Sequence, residues 1–206
     1  MRVLTAEEQN KIKLLTKNQV SLTLIEPTET GLKKSIMDAT GSVRSFLKEN
    51  QIHDYDLQGQ GPENKVNIKE TFILTEDEQI KSNTSLYRPN TKKGDPRIWF
   101  KNLPKYSKAN DIYAITYLDN CIYLFNITQL DIIGILKEED SPIKKLAKSL
   151  LDNSNNIADE LLGKLREIVK AGAIKAIRTG DTAIGHAIET ALGIEQNSSK
   201  KPDYKG

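Results

Sequence analysis

The stretch that most limits how this chain can fold runs from Asp111 to Thr128. Two strands, Asp111–Tyr117 and Cys121–Thr128, flank Asp119 and Asn120, and both turn residues tolerate the left-handed backbone of a two-residue hairpin turn. Apolar residues occupy both faces (Ile112, Tyr113, Ile115, then Ile122, Tyr123, Leu124, Phe125). Strands of this kind are covered on both sides, so the hairpin belongs inside a sheet or barrel. Val20, Leu22 and Leu24, and again Val66, Ile68, Phe72 and Leu74, alternate with polar residues as half-buried strands do. Leu86–Tyr87 and Ile98–Phe100 add two short strands. Ile36, Ala39, Val43 and Leu47 recur at three- and four-residue spacing, which predicts a helix over part of Lys33–Glu49, with Gly41 as its natural break. His53–Asn64 has two glycines, a proline and no periodicity, and reads as a loop. The expected fold over residues 18–135 is therefore mainly β with flanking helices (α+β), a partly open pseudobarrel of antiparallel strands.

Helices flank this region. Ala6–Lys17 has sparse apolar positions and reads as a leader helix over residues 1–17. Beyond Leu136 the pattern turns helical. Ser141 caps a helix with Pro142 in its first turn and Ile143, Leu146, Ala147, Leu150 and Leu151 on one face. Asp152–Asn156 reads as a polar joint that ends a connecting segment over residues 136–156. Residues 157–206 then hold a longer helix, with Ile157, Leu161, Leu165, Ile168 and Val169 on one face. A second helix follows, capped by Asp181, striped by Ile184, Ala187, Ile188 and Leu192, and closed by Gly193.

Composition removes several function classes. The lone Cys121 cannot form an internal disulfide, and two histidines far apart in sequence make a zinc site improbable. No apolar run approaches bilayer length and the start lacks a signal-peptide core, so a cytoplasmic protein is expected. There is no Walker loop, GxGxxG or Ser/His/Asp set. The formal net charge is only +2, yet residues 86–110 carry seven Lys/Arg against a single Asp. This local excess sits in SLYRPNTKKGDPRIWF, a polar loop held between two strands and stiffened by Pro89, Gly94 and Pro96.

A stiff cationic loop suits phosphate gripping and base reading. Arg88 and Arg97 are the expected base readers, because a guanidinium reaches both guanine acceptors; the alternative is an ion pair with Asp95 or a nearby Glu. Asn90 could take adenine or close an Asx turn before Thr91. Lys92, Lys93, Lys101, Lys105 and Lys108 suit phosphates, which position the protein without reading sequence. Upstream, Glu26, Thr28, Glu29, Thr30, Lys33 and Lys34 form a second polar segment, where Glu26 or Glu29 could accept from a cytosine amino group. Gln58 and Gln60 are further candidates for groove contacts. Trp99 reads as packing and not as a stacking platform.

Two resemblances sharpen these expectations. LYRPNTKKGDPRIWF, together with Glu29-Thr30-Gly31, resembles the N-terminal effector-binding domain of the restriction endonuclease EcoRII and the N-terminal regions of larger MvaI/BcnI-type enzymes. The resemblance implies the pseudobarrel of plant transcription factors of the B-three class, whose two arms enter the DNA major groove. By position the first arm is Glu26–Lys34 and the second Arg88–Arg97, the latter including Asp95, and the implied site is of the CC(A/T)GG kind.

The second resemblance lies at the other end. GDTAIGHAIETALGIEQNSSKKPDYKG resembles the opening of the MvaI/BcnI catalytic domain, a MutH-like PD-(D/E)xK nuclease. It implies Asp203 as a catalytic metal-binding residue, with Glu189 on the preceding helix as a weaker candidate. The companion Glu and Lys are expected after Gly206. The chain by itself is therefore expected to bind DNA without a cofactor and without cutting it. A complete parent, a Mg²⁺-dependent type II restriction endonuclease of bacterial cytoplasm, would supply the catalytic domain as partner. The rival expectations are a protein-docking module and a non-specific nucleic-acid binder.

Overall fold

The computed structural model of the chain describes residues 1–172 and 183–194. Contacts divide it into two compact units, Met1–Leu151 and Asp152–Gly206. The first unit is built on one seven-stranded sheet of β1 (Thr23–Ile25), β2 (Met37–Asp38), β3 (Val66–Leu74), β4 (Gln79–Tyr87), β5 (Arg97–Phe100), β6 (Tyr113–Leu118) and β7 (Cys121–Asn126). The strand order is β1-β6-β7-β3-β4-β5-β2. Every neighbouring pair is antiparallel except β3 and β7, so the sheet is mixed, where an all-antiparallel one was expected.

The outermost strands β1 and β2 are consecutive in the chain. Their residues Ile25 and Met37 share one apolar cluster and line one cleft, so the edges curve toward each other and the sheet closes into a half-barrel. The hairpin explains why both faces are apolar. Tyr113, Ile115, Ile122 and Leu124 point into the concave core, while Ala114, Leu118, Tyr123 and Phe125 meet a second core on the convex face. Its turn is the expected one, with Asp119 and Asn120 at φ of 49° and 62°.

The convex core is covered by helices. The segment expected as a leader is α1 (Ala6–Lys17), started by a Thr5–Glu8 capping box. It packs into the unit: Leu15 is fully buried, and the Lys11 ammonium donates to the Ile127 carbonyl. The helix expected over part of Lys33–Glu49 is α3 (Gly41–Glu49); the polar turn before it holds a short α2 (Glu29–Lys34), and β2 separates the two. Ser35 ends α2 in a left-handed conformation, Ala39 donates its N–H to the Pro96 carbonyl, and Thr40 caps α3. Gly41 thus starts a helix instead of breaking one. Of the 36/39/43/47 set, Ala39, Val43 and Leu47 share the concave core, whereas Ile36 is outside it and the strand contributes Met37 instead.

A short α4 (Ile132–Ile135) precedes α5 (Pro142–Ala171), which runs unbroken through the expected joint at residues 152–156. Those Asp, Asn and Ser residues are exposed. Each costs only about 0.5–0.7 kcal/mol of helix propensity, too little to end a helix propagating from packed turns. α6 (Ala183–Leu192) belongs to the second unit and ends at Gly193, φ 72°. Asp181 lies outside the described residues. No helix among them is long and apolar enough to cross a membrane.

Candidate nucleic-acid interface

The first arm links the two edges of the sheet. Pro27 is buried, and its carbonyl accepts from the Asn110 N–H. Thr28 caps α2 by accepting from the Gly31 N–H at 3.0 Å. Gly31 is required sterically, since an added Cβ would lie 2.6 Å from the Ile36 carbonyl oxygen. Glu29 and Lys33 pair one helical turn apart at 2.6 Å, both exposed. Thr30 and Lys34 are exposed as well.

Glu26 behaves differently. Its carboxylate accepts from the Arg2 N–H at 2.6 Å and lies 3.6 Å from the Met1 amine. Both contacts fall on one carboxylate oxygen, Oε2, and anchor the arm. The same Arg2 donates to both Glu8 oxygens and to the Asn110 carbonyl. Arg2 and the Thr128 hydroxyl hold the buried Glu8 carboxyl at about 2, well below the usual carboxylate range.

The second arm is fixed from beneath. Arg88 donates from Nε to the Gly94 carbonyl at 2.8 Å, and from Nη1 to the carbonyls of Gln58 at 3.1 Å and Tyr55 at 3.4 Å. It ties the arm to the 53–64 loop, so a two-toothed grip on guanine would require breaking that brace. Gln58 is committed too: Nε2 donates to the Leu86 and Asn64 carbonyls, and Oε1 faces His53 Nε2. It is 8% exposed, which removes it as a groove contact. Burial pushes the His53 pKa below its ordinary value. Gln60 packs on Gly94, whose φ of 59° and lack of a Cβ allow that close approach. The Gly61 N–H completes the brace at the Arg88 carbonyl, 2.8 Å.

Above this base the arm is bare. Asn90, Thr91, Lys92, Lys93 and Asp95 are all exposed, with the Thr91 hydroxyl accepting from the Gly94 N–H. Arg97, the arm's last residue, opens β5 opposite Asp38. Its carbonyl accepts from the Tyr55 hydroxyl at 2.8 Å, and its Nε is buried with no hydrogen-bond partner. A buried guanidinium N–H without an acceptor is unusual and calls for a missing one.

The two arms meet in one cleft of about 630 Å³. Glu26, Thr28, Thr30 and Lys34 line it from the first arm, Arg97 from the second, and Asp38, Thr40 and Ser42 from the segment between. These last three carried no functional signal in the sequence, because only the β2–β5 pairing brings them beside Arg97. The cleft pairs cations with carboxylates and hydroxyls, a mixture suited to donors and acceptors on base edges more than to a plain phosphate clamp. Lys101, Lys105 and Lys108 are exposed on the loop whose Asn110 meets the first arm. Trp99 is half-buried against the concave core, a packing residue.

In the second unit, Glu189 lies half-buried on α6, whereas Asp203 falls outside the described residues. Among the described residues no group of three or more His, Cys, Asp or Glu could hold a metal ion.

A curled sheet bearing a polar two-armed cleft, followed in the chain by a helical unit, is the class of molecule these features define. Residues 162–206 match the model of the MvaI/BcnI restriction endonuclease family. No curated protein and no solved structure matches the chain.

Proposed function

We propose that the first unit reads double-stranded DNA through the major groove and serves as the target-recognition or effector domain of a type II restriction endonuclease. The observation that carries this reading is the shared cleft, which Arg97 of one arm lines together with Thr28, Thr30 and Lys34 of the other. Base reading falls to Arg97, Asn90 and the polar groups of the first arm, and phosphate contact to Lys92, Lys93, Lys33 and Lys34. Arg88 and Glu26 act one step back, holding the arms in place. The resemblance of the second arm to EcoRII-type domains suggests a GC-flanked site of the CC(A/T)GG kind.

For DNA cleavage, Mg²⁺ would be held by carboxylates that include Asp203, and it would supply an activated water and stabilisation of the leaving oxygen. Selection from a random duplex library with the chain, followed by sequencing, tests the reading. Enrichment of a short GC-flanked motif supports it, and recovery of a flat distribution at physiological salt overturns sequence-specific recognition.

A further inference from the structure

The outward stripe of α3 lies between the arms and belongs to neither. Val43, Phe46 and Leu47 face the core, which leaves Arg44, Ser45 and Lys48 outside. Thr40 and Ser42 line the cleft shared with the first arm. One helical face over, Gly41, Arg44 and Ser45 line a second groove of about 530 Å³, whose opposite wall is Lys93, Asp95 and Pro96 of the second arm. Of the cations around this groove, two are engaged: Arg88 is turned onto backbone carbonyls, and Lys48 is held by Asp54 at 2.8 Å and Asp56 at 3.2 Å. Among the described residues, the Arg44 and Lys93 side chains make no hydrogen bond or ion pair.

We propose that this groove binds one backbone phosphate of the DNA, with Arg44 and Lys93 as its charged ligands and the Ser45 hydroxyl as a further donor. The inference rests on the DNA-binding reading above and adds Arg44 and Ser45, which lie outside both arms, to the phosphate contact of Lys93. The Lys48–Asp54–Asp56 set has one negative charge in excess and Asp95 stands on the Lys93 wall, so an anion is drawn to the Arg44–Lys93 pair and away from Lys48. The groove adjoins the cleft, since Thr40 and Ser42 line the cleft and Gly41 between them lines the groove, so a duplex whose base edges meet the cleft would carry a phosphate strand close to it. A phosphate neutralised here releases counterions and is felt equally by every sequence.

The test is fluorescence anisotropy with the full chain, a selected duplex and a random-sequence duplex, titrated from about 50 to 200 mM salt. Arg44→Gln is expected to weaken both duplexes by the same factor, about fivefold, and to flatten the log–log salt slope by about one. Arg44→Lys should restore the slope, and Lys148→Gln, an exposed lysine on α5, should change neither quantity. Affinity and slope of Arg44→Gln equal to wild type, or a loss confined to the selected duplex, would overturn the phosphate site while leaving the two-arm reading intact. Wild-type protein that binds neither duplex would overturn that reading, and this site with it.

Discussion

The two arms are built on opposite plans. The second has a rigid foundation and a bare tip: one guanidinium, Arg88, gathers three backbone carbonyls beneath it, and nothing holds Asn90, Lys92 or Lys93 above. The first is its own small helix, capped by Thr28 and moored at one end through Glu26 to Arg2. Rigidity under a loop lowers the ordering cost of binding. The lysines at the tip of the second arm therefore suit affinity, with Asn90 and Arg97 left to discrimination. The first, with both signs of charge and a mooring shared with α1, suits discrimination.

Removing the foundation of the second arm should give the largest effect. Arg88→Ala leaves three carbonyls without their donor, and is expected to cost about 2–4 kcal/mol of unfolding free energy and to abolish tight binding of any duplex. Urea denaturation measures it. Unchanged stability with selectively lost discrimination would instead make Arg88 a base reader.

The mooring of the first arm can be tested by pH. The Glu8 carboxyl is depressed to about 2 in the folded protein, against an unfolded value near 4.3. Its contribution, on the order of 2 kcal/mol, is therefore complete above the unfolded pKa and disappears as pH falls from about 4.5 toward 2. Glu8→Gln should flatten stability against pH in that window, and a curve parallel to wild type would remove Glu8 from the mooring.

Arg97→Ala should be mild for the fold, since a buried N–H without a partner leaves with it. It should cost about 1–3 kcal/mol for the selected duplex and little for random ones. An equal loss on both would demote it to a phosphate contact. Smallest of all, Lys92→Ala should weaken every duplex alike and lower the salt slope by about one. A loss restricted to one sequence would move the tip of the second arm into base reading.

How much of this was visible in the sequence depended on range. The hairpin at 111–128 announced its place because both strands bury both faces, a property carried within the segment itself. β2 was invisible: two residues become a strand only because Arg97 and Ile98 lie alongside. The second arm was recognisable as a stiff basic loop, yet the role of Arg88 was not. Its acceptors come from residues 55, 58 and 94, and no local pattern predicts that convergence. Glu26 looked like a reader for the same reason, its partners being some twenty-five positions upstream. The polar run at 152–156 was legible but misleading, because weak helix formers do not stop a helix whose neighbouring turns are already formed.

The margins of the sheet carry a last consequence. β1 and β2 offer three and two residues of strand, and the first arm strings them together. Long exposed margins are what stray chains zip onto, in aggregation and in strand exchange. At its two outermost strands the sheet gives such a chain only a few residues to pair with.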